Sequence, residues 1–223
     1  MTSFDHIKKI IEKNPEVDVF RFFTFSFSNK VQTRLGSFSD SEENSIKRAI
    51  SYKKENSSSF WESFFATSVS HSDIQNRILK EAIHHNKNRP YIHILNKDIL
   101  DFLEKNEYEN LAINSKVILR DGQIKHIPML DFKIKSSTEN TAFVQAVINT
   151  LGQTGSVLDS GKSYHFIGDT LITKNELTKL LANFILFHPI SDKSWAAHQL
   201  IEGSASLRIS KKYGVHPRMI EPH

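Results

Sequence analysis

Three short stretches of this sequence collect side chains able to grip a metal ion or a phosphorylated ligand. In Leu130-Asp131-Phe132-Lys133-Ile134 the apolar residues fall on even positions, so in an extended strand Asp131 and Lys133 project together from the other face. In Ser163-Tyr164-His165-Phe166 the aromatic residues share one face, and Ser163 and His165 share the opposite one. In Ser206-Leu207-Arg208-Ile209-Ser210, Leu207 and Ile209 point one way and Arg208 the other, between two serines. Each strand alone reads as the solvated face of an ordinary sheet. Together they supply a carboxylate, a lysine, a Ser-x-His pair and a guanidinium, the groups that hold divalent ions and phosphates. Gly161-Lys162-Ser163 imitates the end of a phosphate-binding P-loop, but the leading glycine, Gly155, stands one residue too early. A P-loop also needs a helix directly after its lysine, and Ser163–Gly168 reads as strand. A P-loop nucleotidase is therefore excluded.

The surrounding pattern predicts the elements that must carry these residues. Val17, Val19, Phe23, Phe25 and Phe27 share the odd positions of a first strand, whose other face carries Phe20 and Phe22. Phenylalanines on both faces favour a buried strand over a base-stacking surface. The polar run Ser28–Ser59 reads as a surface excursion, with only Asp40 and Glu43 hinting at a helix start. Trp61 with Phe60, Phe64 and Phe65 reads as an apolar helix face. Ile74, Ile78, Leu79, Ala82 and Ile83 make a helical stripe, and a short strand follows at Tyr91–Leu95. Leu111–Leu119 alternates as a strand, Asp121-Gly122 supplies turn chemistry, and a third strand is expected over Ile124–Ile134. Phe143–Leu151 repeats at helical spacing before Gly152. Thr173 and Glu176 form a capping box ahead of a helix that stops before Pro189. A further helix is expected from Ser191, then strands at Leu207–Ser210 and Arg218–Glu221. This order is α+β, mixed helix and strand with an antiparallel component, not the regular alternation of a doubly wound sheet.

Composition narrows the chemistry. The 223 residues suit one domain, or a core with an appended lobe, and 39% hydrophobic with 24% charged residues is globular composition. With 29 basic and 25 acidic residues the formal charge is +4, which permits a polyanionic partner without establishing one. No cysteine is present, so disulfides, thiolate metal sites and cysteine nucleophiles are excluded. The longest apolar run, Leu180–Phe187, is interrupted by Asn183 and falls far short of the roughly 20 residues of a membrane span. The N-terminus lacks the apolar stretch of a signal peptide, so a soluble, cytoplasmic protein with no membrane partner is expected. His84-His85 and His93 do not make a helical ligand pair, since adjacent residues cannot share the i, i+4 face, and His188 and His198 lack a third ligand.

Ser160-Gly161-Lys162-Ser163-Tyr164-His165-Phe166 resembles the Ser-x-His motif of archaeo-eukaryotic-type primases and primase-polymerases. Met129-Leu130-Asp131-Phe132-Lys133 stands where those enzymes carry their first acidic motif. Asp192, followed by Leu207-Arg208-Ile209-Ser210-Lys211-Lys212, resembles their third acidic motif and the basic strand after it. The resemblance covers about Leu111 to Glu221. It implies a catalytic core on an RNA-recognition-motif-like antiparallel sheet with flanking helices, which binds nucleoside triphosphates and a nucleic-acid template. Asp131 and Asp192 would be catalytic and hold Mg²⁺ or Mn²⁺. Lys162, Ser163 and His165 would grip the triphosphate, and Lys133 and Arg208 would reach phosphate or template.

The sequence departs from that pattern at Lys133, which replaces the second carboxylate of the first acidic motif. A lysine repels a metal, and loss of one ion's Lewis-acid help slows such chemistry on the order of a thousandfold. Either a neighbouring acid, Asp159 or Asp169, substitutes, or the protein binds nucleotide or nucleic acid without much polymerisation. Three readings stay open: a weakly active nucleotidyltransferase, a non-catalytic binding module of the same fold in a replication or defence assembly, and an unrelated α+β interaction domain whose motifs coincide with the family's. Residues 1–110 are expected to form an accessory lobe on a motif-bearing core of residues 111–223, the whole making a single domain.

Overall fold

Side-chain caps and strand breaks set the element boundaries of the computed structural model, which describes residues 2–25, 38–68, 72–84, 90–106, 110–211 and 216–220. In chain order come α1 (Ser3–Lys13), β1 (Val17–Thr24), α2 (Asp40–Asn56), α3 (Phe60–Thr67), α4 (Ser72–His84), β2 (Ile92–Leu95), α5 (Ile99–Lys105), β3 (Leu111–Leu119), β4 (Ile124–His126) and β5 (Met129–Asp131). Then follow α6 (Thr138–Thr150), β6 (Gly155–Asp159), β7 (Tyr164–Gly168), α7 (Lys174–Ile185), α8 (Lys193–Glu202), β8 (Ser206–Arg208) and β9 (Arg218–Met219). Two compact units result, residues 27–88 and the rest of the chain.

In the smaller unit, Ser39 caps α2 with Glu42 answering three residues on, and Ser59 caps α3 with Glu62 in the same way. The run read from sequence as a surface excursion is thus largely a 17-residue helix, because its cap lies one residue ahead of the Asp40–Glu43 hint. Residues 28–37 of that run lie outside the described residues. Ile46, Ala49, Phe64 and Ile78 form the unit's own core, with Phe60 and Trp61 packed on it. Arg77 of α4 pairs with Glu42 of α2 and, with the Ser39 cap, holds that carboxyl down at about 2.

The larger unit contains two antiparallel sheets, which makes the fold α+β as the element order implied. In the first, β2, β1 and β3 are neighbours, and both β4 and β8 pair with β3. The second runs β5-β7-β6-β9. Ile7, Phe20, Phe22, Leu111, Ile113, Leu130, Phe132, Phe166 and Phe184 belong to one continuous core. The single strand expected over Ile124–Ile134 is two short ones in different sheets. Pro128 stands at the break, where a ring nitrogen cannot donate to a ladder. In β1 the register shifts between Val17 and Val19 and again between Phe20 and Arg21. The first shift puts Val17 on the face of Phe20 and Phe22, all three fully buried, while Phe23 is buried on the other face, which Arg21 shares, so the strand is buried on both faces as its phenylalanines implied. No helix among the described residues is long and apolar enough to cross a membrane.

Candidate functional site

Antiparallel pairing of β5 with β7 makes Asp131 and His165 direct register partners, so the two chemical stretches met first in the sequence are brought side by side. His165 Nε2 lies 3.7 Å from Asp131 Oδ1. The expectation of a solvated polar face fails here. On the same face Met129, Leu158 and Ile167 are buried, and His165 is itself only 7% exposed. An imidazole and a half-buried carboxylate at the end of an apolar face are costly to bury, which raises the case for a functional pair over an incidental one.

The approach to the histidine is a tight turn joining β6 to β7. Asp159 Oδ1 accepts the Gly161 N–H at 2.7 Å, and Gly161 adopts φ +95°, a conformation that glycine takes without strain. The Ser163 carbonyl accepts from the Ser160 N–H at 2.9 Å and from Ser160 Oγ at 3.0 Å, while the two hydroxyls stand 3.3 Å apart. Ser136 Oγ donates to the other oxygen of Asp159 at 2.6 Å, and Tyr164 and Ser137 bond reciprocally at 2.7 Å. The chain following Asp131 is thereby latched to the turn preceding His165. Lys162 is exposed at the tip of that turn.

Arg208 arrives from the first sheet. Nη2 donates to the Ser160 carbonyl at 2.8 Å and Nη1 to the Ser210 carbonyl, which fixes the guanidinium at the turn. Burial lowers its pKa, and the Asp131 carboxylate opposes that shift. Its remaining N–H donors are available to an anion.

Asp192 is joined to the site by its backbone: its N–H donates to the Asp131 carbonyl at 3.0 Å. The cap expected at Ser191 is Asp192 itself, whose Oδ1 accepts the Trp195 N–H at 2.9 Å, and Ser191 is fully buried beside Phe132 instead. Lys133 bonds the Ile190 carbonyl through its N–H at 2.9 Å and keeps an exposed side chain. The two acids that could replace the missing carboxylate are otherwise engaged. Asp159 holds the turn, and Asp169, at the far end of β7, pairs with Lys13 and accepts from Thr154 Oγ1 at 2.8 Å.

Among the described residues no group of three or more histidine, aspartate or glutamate side chains is placed to hold a metal ion. Asp192 spends Oδ1 on its helix cap, which leaves Oδ2 and the Asp131 carboxylate as the donors that could hold a metal ion. His93 is exposed on β2 and joins no such group; His85 and the side chain of His84 lie outside the described residues. Ser136 is missed in the sequence, and Asp159 reads there as a substitute metal ligand and not as the acceptor that shapes the turn, although Asp-Ser-Gly is a recognisable turn signature.

No curated protein and no solved structure is similar enough to match the chain. A family model does, over residues 94–221, more than half of the sequence and spanning every strand from β3 onward. The chain belongs to the archaeo-eukaryotic primase 1D-like (AEP-like) family.

Proposed function

We propose that this protein binds a nucleoside triphosphate by its phosphates at the β6–β7 turn, with nucleic acid as its further partner, and that nucleotidyl transfer in it is slow or lost. The observation that carries the reading is the meeting of His165 and Arg208 with a glycine turn beside a single carboxylate, Asp131. Imidazole and guanidinium suit phosphate oxygens. Asp159 and Asp169 are engaged elsewhere, Asp192 gives one oxygen to its helix cap, and Lys133 adds positive charge where a second carboxylate would stand.

A second reading is metal-dependent nucleotidyl transfer with Mg²⁺ or Mn²⁺. The register pairing of Asp131 with His165 and the hydrogen bond from Asp192 to Asp131 favour it. One set of measurements separates the two. Charge-assisted bonds to phosphate contribute about 1.5–3 kcal/mol each, so His165→Ala and Arg208→Gln should each weaken triphosphate binding about 10- to 100-fold by calorimetry. In the binding reading Asp131→Asn leaves that affinity equal or tighter, since it removes a repelling charge. In the catalytic reading wild type extends a labelled primer with Mg²⁺ or Mn²⁺ and Asp131→Asn abolishes the product. Unchanged affinity in both the His165 and Arg208 variants would refute the binding site itself.

A further inference from the structure

The peptide unit between Ser160 and Gly161 is held from both sides. Its N–H, on Gly161, donates to Asp159 Oδ1 at 2.7 Å, and its carbonyl, on Ser160, accepts from Arg208 Nη2 at 2.8 Å. This peptide is trans and planar, so its N–H and C=O point in opposite directions and neither turns without the other. The acceptor that fixes the N–H therefore also aims the carbonyl that Arg208 meets. Gly161, at φ +95°, has no β-carbon to resist rotation of that plane. Without the Asp159 bond the turn keeps only the bonds from Ser160 to the Ser163 carbonyl. Arg208 has one other anchor, the Ser210 carbonyl at Nη1, so the Ser160 carbonyl is the second point that fixes the direction of the guanidinium.

Asp159 is itself held. Its second oxygen accepts from Ser136 Oγ at 2.6 Å. Its register partner across β6 and β7 is Tyr164, which is fully buried and clamps the next residue along. The Tyr164 hydroxyl accepts the Ser137 N–H and donates to the Ser137 carbonyl, both at 2.7 Å. Two neighbouring residues of the segment between β5 and α6 are thus gripped by the facing ends of the β6–β7 hairpin. The Asp159 bonds lie at the short, charge-assisted end of the hydrogen-bond range. Half-buried and with one oxygen spent on each partner, this carboxylate acts as an acceptor for protein groups and not as a solvated surface charge.

We infer that Asp159 is a positioning residue for the anion site. Through the Ser160–Gly161 peptide it sets the direction in which Arg208 presents its remaining N–H donors, and Ser136 in turn sets Asp159. This role rests on the triphosphate reading and adds to it a residue that acts only through another. Its sign is opposite to that of charge alone. A carboxylate beside a polyanion repels it, so by charge alone removal of Asp159 tightens triphosphate binding. By aim, removal loosens it, and the loss disappears once Arg208 is no longer there to be aimed.

The test is a double-mutant cycle read by calorimetric titration with ATP, on Asp159→Ala, Arg208→Gln and the two combined, with Asp159→Asn and Ser136→Ala alongside. Asp159→Ala should weaken ATP binding about tenfold, the scale of one charge-assisted bond. In the Arg208→Gln background the same change should cost less than about twofold. Asp159→Asn keeps an acceptor for the Gly161 N–H and should bind within about threefold of wild type. Ser136→Ala, in which Tyr164 still holds the segment, should weaken binding by about two- to threefold. A residue that only stabilises the fold would lower Tm and leave the affinity of the folded protein alone, or would add its loss to that of Arg208. Unchanged or tighter binding by Asp159→Ala overturns the inference, as do losses that multiply in the combined variant. Where Asp159→Ala does not fold, Ser136→Ala takes its place in the cycle, and a loss that persists in the Arg208→Gln background is the overturning result. If Arg208→Gln and His165→Ala both leave ATP binding unchanged, the triphosphate reading falls and the role of Asp159 with it. If those two weaken binding and Asp159→Ala does not, only the role of Asp159 falls.

Discussion

Two buried histidines should make this fold sensitive to mild acid. His6 on α1 and His126 at the end of β4 are 1% and 2% exposed. Burial lowers each imidazole's pKa to about 4; Asp169 opposes the shift at His6, and Arg21, Lys116 and Lys174 add to it at His126. The native values lie below the ordinary value of about 6.5, so as pH falls the unfolded chain takes up protons first. The stability they contribute is complete above about pH 6.5 and is lost progressively down to about pH 4. Between pH 7 and pH 5 linkage gives a loss of about 2 kcal/mol for each histidine and about 4 kcal/mol for both. For a chain of this size that lowers Tm by on the order of 10 °C. Carboxylates do not confuse the window: the Glu42 carboxyl, held at about 2 by Arg77, starts to lose its contribution only below its ordinary pKa of 4.5. The assay is calorimetric unfolding at pH 7, 6 and 5 at constant ionic strength, on wild type, His6→Leu, His126→Asn and the double variant. Each single variant should show about half the wild-type drop, and the double variant a nearly flat profile. A double variant that falls as steeply as wild type would refute the reasoning.

Two further outcomes follow from single residues. Lys133→Asp restores a second carboxylate beside Asp131; if Lys133 is what suppresses transfer, Mn²⁺-dependent primer extension should rise by up to about a thousandfold while Tm changes little. No gain in product, with triphosphate binding intact, would place the block elsewhere. Asn114→Ala leaves the Arg21 fork and the Lys116 N–H without their buried acceptor and should cost about 2–4 kcal/mol, read as a Tm lowered by roughly 5–10 °C.

The legible parts of the sequence were those governed by local rules. Thr173 and Glu176 announced α7 because a capping box is closed by residues three apart, and the structure forms both of its halves. Alternation put Asp131, His165 and Arg208 on the strand faces opposite their apolar neighbours, although the face at His165 is buried, not solvated, and the order of their motifs pointed to the family that residues 94–221 match. Less legible were features that need a partner strand or a turn. The shift inside β1 that brings Val17 onto the same face as Phe20 and Phe22 depends on pairing with β3, and no count of apolar residues in β1 reveals it. Asp192 could be read as a ligand or as a helix acid; the hydrogen bond to Trp195 settles its use as a cap.

What the chain carries by itself is thus the inventory: which residues bear chemistry, which alternate together in a strand, and the missing acid at Lys133. Side-chain period and capping are short-range properties, fixed by neighbours within a few residues. Tertiary structure alone decided what those residues meet. It set His165 against Asp131, tied Arg208 to the turn at Ser160, engaged Asp159 and Asp169 in other contacts, and bonded Arg21 to Asn114. Each of these joins residues far apart in sequence or depends on a turn's exact conformation. Sheet register and packing choose among such contacts, and a linear pattern does not encode either one.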